Sequence, residues 1–252
     1  MTEQANEELG KALTERMTKM ERDQSFPDSV PRDAATLMLI DRSGAEPKVL
    51  LGRRHASHKF MPGKFVFPGG RIEELDAKMQ AATELDPNTE TKLAQRPRDD
   101  KVPPPRAFAL AAVREMFEET GLLLGVKRDA PPATPNAEWE GFAKASIFPD
   151  LEHIHFIARA VTPPRRPKRF DTRFFTADAS AIADRVEGVV GPDSELVELV
   201  WIPIVEATRL DMPTITGVVL EELGARVKAG MRHDLPVPYY YMENQEFRRE
   251  LL

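Results

Sequence analysis

Three glutamates in one short segment have the residue type and spacing for metal chemistry. Glu115, Glu118 and Glu119 lie in Arg-Glu-Met-Phe-Glu-Glu-Thr-Gly-Leu, residues 114–122. On a helix these positions share one face, where each pair of like charges costs about 0.2–0.5 kcal/mol. A hard cation such as Mg²⁺ or Mn²⁺ prefers oxygen ligands and would turn that repulsion into coordination. Paired helical glutamates are usually a solvated surface, but the apolar run before this segment predicts a helix with a buried face.

The residues around the glutamates predict where this helix lies and how its carboxylates are oriented. Arg114 precedes Glu118 by four positions, so it can pair with that carboxylate and fix its rotamer. Gly121 is typical of a helix end. Three prolines at 103–105 are incompatible with a helix interior, so the helix is expected to begin at about Arg106.

The segment resembles the second half of the Nudix box, in which a glycine, five residues, a glutamate and seven residues precede Arg-Glu-U-x-Glu-Glu-x-Gly-U, with U a bulky aliphatic residue. Pro68-Gly69-Gly70-Arg71 resembles the glycine end of the box, yet Gly70 and Arg114 are 44 positions apart (114 − 70) where the family has 14. About 30 residues are therefore inserted. A surface loop tolerates such an insertion, because the entropic cost of closing a loop grows only slowly with its length. Counted back from Arg114, the box glutamate falls on Arg106, which predicts that this carboxylate is missing. The matching residues are Arg114, Glu115, Met116, Glu118, Glu119, Gly121 and Leu122.

The resemblance implies an α/β protein, a Nudix-type α/β/α sandwich with a mixed β-sheet. It also implies a metal-dependent hydrolase that uses Mg²⁺ or Mn²⁺ to cleave the diphosphate bond of a nucleoside-diphosphate derivative. By this resemblance the catalytic residues are Glu118, Glu119 and Arg114, and the metal ligands are Glu115, Glu118, Glu119 and the backbone of Gly69. The base that takes the proton of the attacking water is left open between Glu118, Glu119 and a later loop residue, either Glu195 or Glu198.

Two basic segments predict how the substrate is held. Residues 50–70 are similar to the signature that precedes the box in coenzyme A-type Nudix hydrolases, and residues 165–175 resemble the long-insert branch that includes peroxisomal coenzyme A diphosphatases. Cationic side chains there could clamp phosphates. The preferred substrate is coenzyme A or an acyl-CoA; the alternatives are ADP-sugar or dinucleotide cleavage and a catalytically silent nucleotide sensor. The candidate substrate-binding residues are Arg53, Arg54, Lys59, Phe67, Arg169 and Arg173.

Hydrophobic patterning predicts one decorated domain with flanking segments. Residues 1–32 are expected to form a helical extension and linker, residues 33–230 the Nudix domain with an insertion at about 73–105, and residues 231–252 a tail with a terminal helix. The insertion could be a lid, a specificity element or solvated surface. Strands are predicted at 34–40, 49–53, 65–68, 151–161, 172–176 and 196–202. Helices are predicted at 6–22, 75–85, 204–210 and 218–229.

Composition narrows the function classes further. The 252 residues are 41% hydrophobic, contain no cysteine and carry a net charge of −6. Disulfides and thiol chemistry are therefore excluded, and a general nucleic-acid binder is not expected, because such proteins usually carry a basic excess. No apolar run approaches the ~18 residues of a membrane span. We expect a cytoplasmic protein that acts on a small molecule, with a homodimer left open.

Overall fold

The structure is a computed structural model that describes residues 3–58 and 61–252. Lys59 therefore lies outside the described residues. The helices are α1 (Glu3–Lys19), α2 (Pro87–Leu93), α3 (Pro105–Thr120), α4 (Glu140–Ala145), α5 (Ile204–Ala207) and α6 (Thr214–Lys228). The strands are β1 (Arg32–Asp41), β2 (Lys48–Arg54), β3 (Phe65–Val66), β4 (Gly69–Arg71), β5 (Leu122–Leu124), β6 (Val126–Lys127), β7 (Ile147–Phe148), β8 (His155–Val161), β9 (Phe170–Asp178), β10 (Ile182–Arg185), β11 (Leu196–Pro203), β12 (Pro238–Glu243) and β13 (Glu246–Leu251).

A large mixed sheet forms the centre of the fold. Its strand order is β11-β2-β1-β9-β8-β12-β13, with β3 pairing to β2 and β4 to β1. Strand β1 runs parallel to β9, and β12 runs parallel to β8. The other pairs along this path are antiparallel. Because β4 ends at Arg71 beside the start of β1, the Gly69-Gly70 turn is fixed to the middle of the sheet.

Helices cover both faces of this sheet. Helix α3 packs on one face, where Phe108, Val113 and Met116 join a core with Leu37 of β1. Helices α1 and α6 cover the other face, where Leu13 and Val218 pack with Met38. The α/β/α sandwich with a mixed sheet is thus confirmed. Within the described residues, no helix combines the length and the apolar character needed to cross a membrane.

Helix α3 has the boundaries that its sequence predicts, to within one residue. It begins at Pro105, where the missing N–H of proline costs no helical hydrogen bond. It ends at Gly121, whose backbone is left-handed with φ of 76°. A side chain at Gly121 would also collide with the carbonyl of Val186. Only glycine fits this position, so the end of the helix that carries the glutamates is sharply defined.

The insertion differs from its prediction. The segment 75–85 forms only a short 3₁₀ turn at Asp76–Lys78, and the α-helix lies later, at α2. The side chain of Asp86 accepts hydrogen bonds from the first turn of α2 and so determines its start. Met79, Leu85 and Leu93 are buried in the core beneath α3. The first part of the insertion is therefore packed into the domain, whereas residues 94–101 are exposed.

The tail also differs from its prediction. Residues 231–252 contain no helix and instead form β12 and β13, which extend the central sheet. The aromatic residues of β12 favour a strand, and Tyr240 is buried with its hydroxyl donating to Glu222. Residues 231–252 therefore complete the sheet. The other predicted strands are present, although the one predicted at 151–161 begins only at His155.

Candidate active site

Arg114 organises the polar end of α3. Its side chain is buried and donates two hydrogen bonds to the carboxylate of Asp76, at 2.8 and 3.1 Å. A further N–H reaches the carbonyl of Arg71 at 2.9 Å. The remaining terminal nitrogen contacts Glu115 at 2.9 Å and Glu118 at 3.1 Å. The arginine therefore orients both glutamates and connects α3 to β4.

Asp76 occupies the position of the box glutamate, which the sequence analysis assigned to Arg106. Five residues separate Gly70 from Asp76, as in the family pattern, so the inserted residues follow Asp76. Counting back from Arg114 crossed the insertion and gave the wrong residue. Arg106 instead bonds Glu84, at 3.0 Å for both contacts, and the carbonyl of Met79. Counting forward from Gly70 was the signal in the sequence that would have identified Asp76.

Glu115 lies against strand β4 at Gly70. A Cβ at Gly70 would collide with the carboxylate of Glu115, so a larger residue there would displace this carboxylate. Burial raises the pKa of Glu115 to about 7, against the opposing effect of Arg114. Burial also raises the pKa of Glu118, which is more exposed. Both carboxyl groups are costly to ionise where they stand unless additional positive charge is present.

Glu119 is the most buried of the three glutamates, with 8% of its surface exposed. Burial raises its pKa well above the ordinary value, and the nearby carboxylates of Glu195 and Glu115 add to this effect. A backbone hydrogen bond from Gly69 and the charge of Arg54 act in the opposite direction. Among the described residues, its Oε2 atom has no hydrogen-bond partner. A buried acceptor without a partner is the kind of atom that a bound cation would satisfy.

The donor set fits a divalent ion. Three carboxylates, those of Asp76, Glu115 and Glu118, contact the positive charge of Arg114, and Glu119 lies near Glu115 and Arg54. Within the part of the chain that the structure describes, no three His, Asp or Glu side chains are placed closely enough to hold an ion. Glu115 and Glu118 turn towards Arg114, so they would have to rotate towards Glu119 to share one. The excess negative charge and the oxygen ligands match what Mg²⁺ and Mn²⁺ prefer.

The comparison with protein families agrees with this geometry. Residues 31–210 match the family model described as the NUDT19 Nudix domain, which is well over half of the chain. The chain belongs to the Nudix family. The matched region includes the Gly69-Gly70 turn, Asp76 and the glutamates of α3.

Relatives of this Nudix domain include two curated animal proteins and a solved bacterial structure. A Caenorhabditis elegans protein named "Putative nudix hydrolase 7" is 27% identical over 183 residues, covering 68% of this chain and 51% of that protein. The human acyl-coenzyme A diphosphatase NUDT19 is 25% identical over 281 residues, covering 81% of this chain and 75% of that protein. This chain therefore spans about half the length of the first of these relatives. The crystal structure of a NUDIX hydrolase from Alicyclobacillus acidocaldarius superimposes with a TM-score of 0.56 and 29% identity, covering 78% of this chain and 92% of that one.

Two of the predicted substrate-binding arginines of the Nudix domain lie on β2 beside this site. Arg54 is largely buried and pairs with Glu195 at 2.8 Å, next to Glu119. Arg53 is about half exposed and pairs with Glu198 at 2.8 Å. The pairing of β2 with β11 therefore brings Glu195 to the active-site carboxylates, whereas Glu198 pairs with the exposed Arg53.

Three other predicted substrate-binding residues have structural roles instead. Phe67 is 6% exposed and belongs to the core beneath α1 and α6. Arg173 is buried, pairs with Asp33 at 2.6 Å and lies 4.1 Å above the ring of Phe108. Arg169 bonds Asp28 at 2.6 Å. Arg173 lies within the sheet because β9 runs between β1 and β8, whereas Arg169 precedes β9, and each of the two arginines pairs with an aspartate.

Proposed function

We propose that this chain is a metal-dependent hydrolase that cleaves the diphosphate bond of coenzyme A or an acyl-CoA. The observation that carries the proposal is the Glu119 carboxylate, which is buried beside Glu115 and whose Oε2 atom has no hydrogen-bond partner among the described residues. Membership of the Nudix family supports the reaction class. The human relative's name, acyl-coenzyme A diphosphatase, supports this substrate class.

In this proposal each residue of the site has a separate role. Glu115, Glu118 and Glu119 would hold the Mg²⁺ or Mn²⁺ ion, which supplies positive charge for the diphosphate and lowers the pKa of water. Arg114 keeps the glutamates in place and does not contact substrate. Asp76 fixes Arg114 in turn, because the two form a buried bidentate pair.

Glu195 is our candidate for the group that accepts the proton of the attacking water. It lies near Glu119, and its carboxylate is held by Arg54 at 2.8 Å. Its side chain is about half exposed, so water can reach it. Glu198 is less suited, because it pairs with the half-exposed Arg53 and is not among the groups that most strongly affect the pKa of Glu119.

Asp76 weakens the alternative that this chain is a catalytically silent nucleotide sensor. That reading rested on two features, the missing box glutamate at Arg106 and the insertion, and Asp76 supplies a carboxylate in place of the first. The complete set of carboxylates and Arg114 is what a hydrolase requires, and a binding protein has no need of it.

A substrate panel tests the proposal. Purified protein with Mn²⁺ is incubated with coenzyme A, an acyl-CoA, ADP-ribose, NADH and a diadenosine polyphosphate, and the phosphorylated products are separated by chromatography. We expect fastest cleavage of the coenzyme A compounds at the diphosphate, and loss of cleavage in Glu118→Gln. Faster cleavage of ADP-ribose or of the dinucleotides would support the alternative substrates, and no cleavage of any compound would refute the enzymatic proposal.

A further inference from the structure

A groove of about 600 Å³ lies at the edge of the insertion. We call it the insertion groove. It is walled by residues 30–33 of the linker and β1, by residues 71–73 at the end of β4, and by Arg98, Lys101 and Pro103 of the insertion. Its walls therefore come from three separate parts of the chain, and the insertion supplies one of them.

The insertion groove has an excess of positive charge. Four cationic side chains line it against only two carboxylates, those of Asp33 and Glu73. Arg98 pairs with Asp33 at 3.1 Å. Arg32, Arg71 and Lys101 are exposed, and no carboxylate of the described residues forms an ion pair with them. In a chain with a net charge of −6, three cations gathered without partners repel one another, and a bound anion would relieve that repulsion.

The insertion groove adjoins the active site through the backbone. Arg71 directly follows Gly70, which touches Glu115, and the carbonyl of Arg71 accepts the hydrogen bond from Arg114. Neighbouring Cα atoms are only about 3.8 Å apart. The N–H of Glu73 donates to Asp76 at 2.8 Å. Successive side chains of a strand point to opposite faces, so Arg71 extends from the side of β4 away from Glu115. A molecule whose diphosphate lies at the glutamates of α3 would therefore reach the groove around the end of β4.

We propose that the insertion groove binds a phosphate monoester that the substrate carries in addition to its diphosphate. Arginine side chains offer paired N–H donors that match phosphate oxygens, and lysine adds a point charge. This inference rests on the proposed function, because it concerns the substrate of the same site. Coenzyme A carries such a group on the 3′ oxygen of its ribose, whereas ADP-ribose, NADH and diadenosine compounds do not. The insertion is thereby a specificity element.

Steady-state kinetics on a matched pair of substrates test the inference. Coenzyme A and 3′-dephospho-coenzyme A differ only in the phosphate monoester. The variant Arg32→Gln/Arg71→Gln/Lys101→Gln is compared with wild type, and Lys101→Gln alone serves as a milder variant. We expect the triple variant to raise KM for coenzyme A about tenfold more than KM for the dephospho compound, as the loss of charge-assisted hydrogen bonds predicts. Equal changes in the two KM values would overturn the inference.

A control variant separates local binding from long-range attraction. Lys11→Gln/Lys48→Gln/Lys127→Gln removes the same charge at exposed positions outside the groove. If it changes the ratio of the two KM values as much as the groove variant does, the effect is due to net charge and the inference fails. Circular dichroism of both variants checks that the fold is retained.

A binding measurement tests, without enzymatic turnover, whether the insertion groove binds a phosphate monoester. Calorimetry compares adenosine 3′,5′-bisphosphate with adenosine 5′-monophosphate on wild type and the triple variant. We expect wild type to prefer the bisphosphate and the triple variant to lose that preference. If wild type cleaves neither coenzyme A compound, the proposed function fails while this preference can still support the groove. Equal affinity of wild type for the two nucleotides would overturn the groove even in an active enzyme.

Discussion

Two buried ionic clusters on the same face of the sheet have opposite charge balances. In the α3 site, Arg114 is held by Asp76 and contacts Glu115 and Glu118, with Glu119 close by. In the cluster on β8 and β9, which we call the β9 network, Arg98, Arg159 and Arg173 meet Asp33 and Asp171. Both clusters contain a bidentate Arg–Asp pair. Acids outnumber bases in the α3 site, and bases outnumber acids in the β9 network.

The difference lies in what satisfies the excess charge. Backbone carbonyls of Gln95 and Arg96 accept N–H groups of Arg159, so the β9 network joins the insertion to the sheet. At the α3 site the excess is carboxylate, the pKa values of the glutamates are raised, and Oε2 of Glu119 has no partner among the described residues. In the β9 network, Nε and one terminal nitrogen of Arg173 also lack a partner there. Perturbed groups of this kind concentrate where a ligand completes the site. We therefore propose that a cation completes the α3 site, with its excess of oxygen ligands, whereas Arg159 of the β9 network binds backbone carbonyls of the insertion.

The largest expected effect on stability is in the β9 network. Asp171→Asn leaves Arg159 and Arg173 buried without their shared carboxylate, which should lower the free energy of unfolding by about 3–5 kcal/mol. Urea denaturation measures the change. The matched control is Asp178→Asn, which removes an exposed pair with Arg42 and should cost about 1 kcal/mol or less. Similar losses for both variants would contradict a structural role for the network.

The next effect concerns the link between Arg114 and the insertion. Asp76→Asn removes the charge that fixes Arg114, so kcat should fall about 10- to 100-fold while KM changes little. Steady-state kinetics with Mn²⁺ measure both constants, and Asp76→Glu should restore part of kcat. Asp129→Asn, at an exposed position outside the insertion, is the control. Full activity of Asp76→Asn would show that Asp76 does not position the site.

A pH titration tests whether the pKa of Glu115 in the α3 site is raised. The pKa of Glu115 is about 7 in the folded protein, above its ordinary value of 4.5. Between these values the folded protein binds more protons than the unfolded chain, so the stability due to Glu115 falls as pH rises through this range. Without metal, Glu115→Gln should then be more stable than wild type by about 1–3 kcal/mol at pH 7.5 and nearly equal at pH 4.5. Chemical denaturation in chelator at both pH values measures this.

Addition of Mn²⁺ provides the control for that titration. Adding Mn²⁺ at pH 7.5 should stabilise wild type and leave Glu115→Gln less affected, because the ion supplies the missing positive charge. If wild type and variant differ by the same amount at both pH values, ionisation of Glu115 is not the cause.

The smallest expected effects on activity come from replacing the two arginines of β2, Arg53 and Arg54. Arg54→Gln should reduce kcat several-fold, because it releases Glu195 near Glu119, whereas Arg53→Gln should change activity by about twofold or less, as for other exposed ion pairs. Kinetics on both variants measure the difference. Larger losses for Arg53→Gln would place Arg53 in the substrate site, as its sequence position first indicated.

The sequence predicted local features better than long-range ones. The end of α3 at Gly121 and the shared face of its glutamates depend on residues close together in the chain, so spacing alone was sufficient. The partner of Arg114 lies 38 residues away, across the insertion, and could be found only by counting from Gly70. The pairing of Arg173 with Asp33 spans 140 residues and depends on which strands are neighbours. No local pattern contains that information, and the basic segment was therefore read as a substrate site.

We propose that the glutamates of α3 form a cation site for hydrolysis, and calorimetric titration with Mn²⁺ measures this binding. Wild type is compared with Glu119→Gln and with Glu140→Gln, an exposed glutamate paired with Lys144 on α4. We predict that wild type and Glu140→Gln bind Mn²⁺ alike and that Glu119→Gln binds about tenfold or more weakly, a difference of ~1.4 kcal/mol. Equal binding by all three proteins, or no binding by wild type, would contradict the account.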